Sequence, residues 1–137
     1  MNMIVVDANV WLAALADDSK VGQRCRVALS GESDWVVPCH GPVEVLRSLG
    51  KLELAGVIST EKANVLADGV RRTVVRAVAV DQDMLRHVWH LHHNVSAYDA
   101  PYLVLAARYG IPFLTRDKRL ARAAAQDRVD VRLLSDE

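Results

Sequence analysis

A chain of 137 residues, 51% of them hydrophobic, has material for one well-buried core and little room for a second. Lysine plus arginine balance aspartate plus glutamate at 17 each, so bulk charge selects neither a nucleic acid nor a membrane, and affinity for a polyanion must come from a local patch. Cys25 and Cys39 form no CxxC pair, no signal-peptide layout opens the chain, and no apolar run approaches the roughly 18 residues of a bilayer span; the expectation is a soluble, cytoplasmic protein with both cysteines acting as small apolar residues.

Short apolar runs alternate with longer stretches of helical periodicity. The first strand is expected over Met3 to Asp7, followed by helices over Val10 to Ala16 and Gly22 to Leu29. A second strand, Asp34 to Pro38, leads into the helix "GPVEVLRSLGKLEL", where Pro42 suits a first turn. Ser59 or Thr60 can cap the next helix, "EKANVLADGVRRTV", with Ala63, Leu66 and Val70 along one face. A strand at Ala77 to Val80 precedes the helical segments "MLRHVWHLHH" and "YDAPYLVLAARYG", the latter stopped by Gly110. Strands at Pro112 to Thr115 and Val129 to Leu133 flank the last helix, "KRLARAAAQ". This alternation predicts a three-layer α/β/α domain with a largely parallel sheet.

In such a sheet the C-terminal ends of the strands and the N-termini of the following helices share one edge, where ligands bind. Asp7 closes the first strand, and Glu44 falls in the first turn after the second. A helix from Asp99 to Tyr109 descends ~16 Å at 1.5 Å per residue. The five extended residues of "IPFLT" climb back ~16 Å, which brings Asp117 level with Asp99 on the same edge. Four carboxylates in one small region repel one another unless some stay protonated or a cation compensates them. Hard oxygen donors without nearby Cys or paired His favour Mg²⁺ or Mn²⁺ over zinc, and such a site suits phosphodiester hydrolysis. Asn9 and Thr115, two residues from Asp7 and Asp117, are placed to orient a carboxylate or a metal-bound water.

Each acid also has a purely structural explanation. Asp7 can cap the helix that follows, Glu44 is favourable in a first turn through the helix dipole, "SAYD" fits the S-x-x-D capping pattern through Ser96 and Asp99, and Asp117 can cap "KRLARAAA". The functional reading rests on all four sharing an edge. His87, His90, His92 and His93 lack a third ligand at metal spacing and are read as surface residues. Trp11, Trp35 and Trp89 are read as core or interface rather than a base-stacking platform. "RRTVVR" is read as a solvated face, whereas Arg116, Lys118, Arg119 and Arg122 begin at the acidic edge and can steer phosphate there. No phosphate-binding glycine motif occurs.

The segments "IVVDANVWLAAL", "PVEVLRSL" and "HNVSAYDAPYLVLAARYGIPFLTRDKRLARAA" resemble the PIN-domain ribonucleases, in particular the VapC-type toxins of bacterial toxin–antitoxin pairs. The resemblance runs nearly end to end. Its most specific part is S-A-Y-D-A-x-Y with T-R-D following, the second aspartate 18 residues after the first. It implies a single PIN domain over residues 1–137, a parallel five-stranded sheet with helices on both faces, and Mg²⁺- or Mn²⁺-dependent endonucleolytic cleavage of a structured tRNA or rRNA, leaving a 5′-phosphate. It also implies a small antitoxin that wraps the chain and obstructs the acidic pocket, and a homodimer. Asp7, Glu44, Asp99 and Asp117 match the family's acidic positions; Asn9 and Thr115 match its supporting polar ones. Two residues depart from the pattern: Ala8 replaces a frequent hydroxyl residue, and Pro101 an ordinary helix former. Pro101 forfeits a backbone hydrogen bond if its helix starts at Ser96, and sits in the first turn if Asp99 is near the cap.

Two competing readings remain at this level. A catalytically idle PIN-like module would engage RNA or a protein partner without turnover. A phosphoryl-receiver-like domain would need adjacent N-terminal acids, where "DAN" has one.

Overall fold

The structure, a computed structural model, describes residues 2–31 and 34–134. In chain order the elements are β1 (Met3–Val6), α1 (Ala8–Ala16), α2 (Lys20–Ser30), β2 (Asp34–Pro38), α3 (Gly41–Leu54), α4 (Thr60–Arg72), β3 (Arg76–Val78), α5 (Gln82–His90), α6 (Ala100–Tyr109), β4 (Phe113–Thr115), α7 (Lys118–Gln126) and β5 (Val131–Leu133). The strands form one five-stranded, all-parallel sheet in the order β3-β2-β1-β4-β5. The expected α/β architecture is therefore the observed one.

β1 is central, and its residues Ile4, Val5 and Val6 are fully buried, as a strand covered on both faces requires. The chain turns to β2 on one side of β1 and to β4 on the other. This reversal opens a crevice between the C-terminal ends of β1 and β4, the position where parallel α/β sheets take ligands. Val6 pairs with Leu114, so the two strands end level there. Beneath the crevice runs α6, in which every residue from Ala100 to Ala106 is buried. A helix apolar all round belongs inside a domain, and each buried Leu or Val contributes about 1.5–3 kcal/mol. Gly110, at φ 62°, ends α6 in the left-handed conformation.

Several expected boundaries shift. Asp7 leaves the strand and becomes the N-cap of α1, which starts at Ala8 rather than Val10. β3 covers Arg76–Val78 instead of Ala77 to Val80, because β2 supplies partners only as far as Pro38 and Asp81 is already capping α5 through Met84 N–H (2.9 Å). β5 begins at Val131 instead of Val129, where its pairing with Phe113 begins. Ser19 caps α2, which extends to Lys20–Ser30, and Ser59 rather than Thr60 caps α4. Asp99 is the N-cap of α6 and Pro101 its second residue, so the proline forfeits no helical hydrogen bond. Cys25 is fully buried, whereas Cys39 is exposed; among the described residues neither forms a disulfide. No described helix is long and apolar enough to cross a membrane.

α1 and α2 meet at a tight corner. A Cβ on Gly22 would lie 1.7 Å from the Asp17 carbonyl oxygen and 2.9 Å from that of Ala13. Since both obstacles are backbone, Gly22→Ala is expected to destabilise the fold by about 3 kcal/mol, measurable by urea denaturation.

Candidate active site

Asp7 sits at the crevice. Its backbone N–H donates to Leu114 O (3.0 Å), tying the end of β1 to β4, and its carbonyl accepts from Val10 and Trp11 to start α1. Its carboxylate makes no capping hydrogen bond. Instead Thr115 Oγ1, itself buried at the end of β4, donates to Asp7 Oδ2 (2.7 Å), while Asp117 N–H donates to Thr115 Oγ1 (3.1 Å). Thr115 thus links two of the acids across the crevice. Asn9 Oδ1 accepts from Arg116 N–H (3.2 Å), a second tie between α1 and the segment after β4.

Only 4% of Asp7 is exposed. Burial pushes its carboxyl up to about 7; the Thr115 hydrogen bond opposes this, and the charges of Asp99 and Glu44 raise it further. That both act on Asp7 places three acids within one electrostatic neighbourhood. Glu44 is also held above its ordinary range, chiefly by burial, with His40 and Tyr102 pulling the other way and Asp99 adding to the rise. Tyr102 Oη donates to Glu44 Oε1 (3.2 Å), and His40 Nε2 lies 2.9 Å from that same oxygen and 2.9 Å from the Tyr98 carbonyl. Because a carbonyl only accepts, His40 Nε2 carries the proton and shares it between the two oxygens. The Tyr102 hydroxyl, buried among Glu44, Asp7 and Asp99, is driven far above its ordinary range and stays protonated.

Asp99 links the two halves of the edge. With Glu44, His40 and Tyr98 it lines a cavity of about 560 Å³; with Asp117 and Arg119 it lines a second of about 250 Å³. The Asp99 side chain does not cap α6; the preceding turn is held instead by Asp99 N–H donating to Ser96 Oγ (3.2 Å). Among the four acids, Asp117 is the one whose capping explanation is realised: its Oδ1 accepts from Arg119 and Leu120 N–H (2.9 and 3.1 Å). Among the described residues, no three acid, histidine or cysteine side chains close into a ready-made metal cage.

The basic residues divide. Arg119 lines the smaller cavity, Lys118 and Arg122 are exposed on α7, and the charge of Arg116 is felt by Asp17 beyond the end of α1. His40 and Tyr102 are contacts that sequence reasoning missed. His40 lies four residues before Glu44, one helical turn, so helical spacing was the available signal for it, whereas Tyr102 reaches Glu44 from α6 and spacing carries no signal of that contact. His92 and His93 are exposed as expected, yet both line the cavity of Asp99 and Asp117, a placement beyond the reach of spacing alone.

Residues 4–126 match the PIN domain family. The chain is a PIN-domain protein. Among the PIN-domain relatives, Ribonuclease VapC1 of Mycobacterium tuberculosis is 33% identical over 90% of this chain and 92% of its own length. FitAcB from Neisseria gonorrhoeae superimposes with a TM-score of 0.73 over 96% of this chain and 98% of its own, at 18% identity, a likeness of fold. A chain of a toxin–antitoxin complex from Klebsiella pneumoniae does so with a TM-score of 0.63 over 86% and 90%, at 15% identity. The VapC kinship of this PIN domain sets the phosphoryl-receiver reading aside.

Proposed function

We propose that this chain is a Mg²⁺- or Mn²⁺-dependent endoribonuclease and the toxin of a toxin–antitoxin pair, with Asp7, Glu44, Asp99 and Asp117 as its cation-holding and catalytic acids. The observation that carries the reading is the mutual influence of Asp7, Glu44 and Asp99 at the switch point of the sheet, in a chain kin to a VapC ribonuclease. The donor chemistry fits the ion. All four groups are hard oxygen donors, and the most buried of them is strained by its own charge, a conflict that a divalent cation relieves. When bound, the cation supplies charge neutralisation and an acidified water for hydrolysis.

The chain's own groups then have distinct tasks. Thr115 fixes Asp7 by hydrogen bond, Tyr102 and His40 aim Glu44, and Asn9 holds the loop that carries Asp117. Arg119 offers positive charge to the RNA phosphate inside the cavity, while Arg116, Lys118 and Arg122 extend a basic approach along the start of α7. The proposed substrate is a structured tRNA or rRNA, and residues 1–137 act as one PIN domain that self-associates as a homodimer.

For the antitoxin, the support is an apolar surface between α3 and α4. A cavity of about 580 Å³ there is lined by Pro42, Leu46, Ala67, Val70 and Val75 together with Asn64, Asp68, Arg71 and Thr73, and by Trp11, whose buried Nε1 has no hydrogen-bond partner among the described residues; Val43, Leu54 and Val65 stand exposed on the same helices. Apolar surface of this kind marks a partner's seat. Calorimetric titration with Mn²⁺, paired with incubation of total RNA, tests the proposal against an idle binding module. Saturable binding at micromolar to millimolar ion together with ion-dependent cleavage is expected; a chain that takes up no Mn²⁺ and leaves RNA intact would be the idle module.

A further inference from the structure

The histidines of "HVWHLHH" have no task in the reading above, and the structure separates them. His87 pairs with Asp127 (2.9 Å), and His90 ends α5. His92 and His93 lie in the turn that follows, where they continue a ring stack begun by Trp89. The Trp89 and His92 rings are 3.9 Å apart and 6° from parallel; those of His92 and His93 are 4.1 Å apart and tilted by 37°. His92 Nδ1–H donates to the Trp89 carbonyl (2.5 Å), which pins the imidazole in the stack. The outer ring is uncovered, with Trp89 69% exposed. At the other end His92 and His93 line the cavity that holds Asp99, Asp117 and Arg119.

A row of three rings at this spacing has the form of a short stack of nucleobases, whose rise is about 3.4 Å. It leads from open solvent to two carboxylates and a guanidinium. At about 250 Å³ the cavity is below the roughly 300–1,000 Å³ of small-molecule sites, so it suits one unit of a chain that continues outside it. Aromatic faces accept any unstacked base, whereas a duplex keeps its base faces covered. We propose that Trp89, His92 and His93 form a stacking platform for bases flanking the phosphate at the acidic edge, and that this platform selects unpaired over double-stranded RNA. The proposal rests on the nuclease reading for the position of that phosphate. Of the sequence expectation for Trp89, core or interface, the exposed indole excludes core.

The test is binding of a short labelled single strand, and of a duplex of the same sequence, to wild type, Trp89→Ala and Trp89→Phe in EDTA. The wild type is expected to prefer the single strand and to lose indole emission on binding. Trp89→Ala should weaken single-strand binding roughly tenfold, with the duplex little changed, and Trp89→Phe should restore most of the affinity without the emission change. Equal single-strand affinity in wild type and Trp89→Ala would overturn the platform. So would sedimentation showing that Trp89→Ala dissociates a dimer, which would assign the face to a second copy of the chain. Cleavage of total RNA by wild type with Mn²⁺, run in parallel, reads the nuclease proposal separately: cleavage with unaltered Trp89→Ala binding sinks the platform alone, and emission quenching without cleavage sinks the nuclease alone.

Discussion

Replacing Asp7 by asparagine is expected to abolish RNA cleavage, by at least about 100-fold, while leaving the cation-free protein as stable as wild type or more so at pH 7.5. The two halves of this result have one cause. Asp7 is buried beside two other acids, with its carboxyl pushed up to about 7 from an ordinary value of 3.8. The folded state therefore holds this proton more tightly than the unfolded chain does. Its contribution to stability is fully present below about pH 4, declines as pH rises, and is lost as pH passes through about 7. At roughly 1.4 kcal/mol per pH unit the loss is of order 4 kcal/mol. Asparagine keeps the acceptor for Thr115 and carries no charge. Thermal melts in EDTA from pH 4.5 to 8 should accordingly fall more steeply for wild type than for Asp7→Asn. Added Mn²⁺ should raise the wild-type midpoint most at the alkaline end, and the variant's hardly at all.

The second large effect separates two roles at Asp117. Its carboxylate caps α7 through Arg119 and Leu120 N–H, as many aspartates do, and is proposed to hold the ion as well. Asn is about as good an N-cap as Asp, whereas Ala removes the acceptor at a cost of about 1 kcal/mol. Asp117→Asn should therefore lose activity by about 100-fold with stability nearly unchanged, and Asp117→Ala should lose both. If Asp117→Asn cleaved RNA at the wild-type rate while Asp117→Ala unfolded early, the residue would be a cap only. Cleavage rates and urea midpoints on the same preparations distinguish these outcomes.

Much of this site was legible because strand–helix alternation settles which chain ends share an edge. The level of Asp99 with Asp117 followed from the rise of one helix and the climb of one strand, and Asp7 followed from a buried central strand that has to stop somewhere polar. Pro101 posed a question that two alternatives framed and the start of α6 at Ala100 answered. The edge strands were harder, because β3 and β5 are short and largely exposed and carry little apolar pattern. Contacts such as Tyr102 to Glu44, 58 residues apart, depend on how α6 lies against α3, which periodicity does not encode. Trp89, read as core or interface, is not core for a related reason: helical spacing tells which residues share a face, and the packing partner decides whether that face is covered.

The most direct test of the central claim is the chemistry of the RNA ends. Attack by water at the acidic edge expels the 3′-oxygen and leaves a 5′-phosphate and a 3′-hydroxyl, whereas attack by the neighbouring 2′-hydroxyl leaves a 5′-hydroxyl and a 2′,3′-cyclic phosphate. Products of wild type with Mg²⁺ or Mn²⁺, examined by ligation that requires a 5′-phosphate, should ligate directly, and none should form in EDTA or with Asp7→Asn. Fragments with 5′-hydroxyl ends, or cleavage that persists in EDTA, would contradict the account.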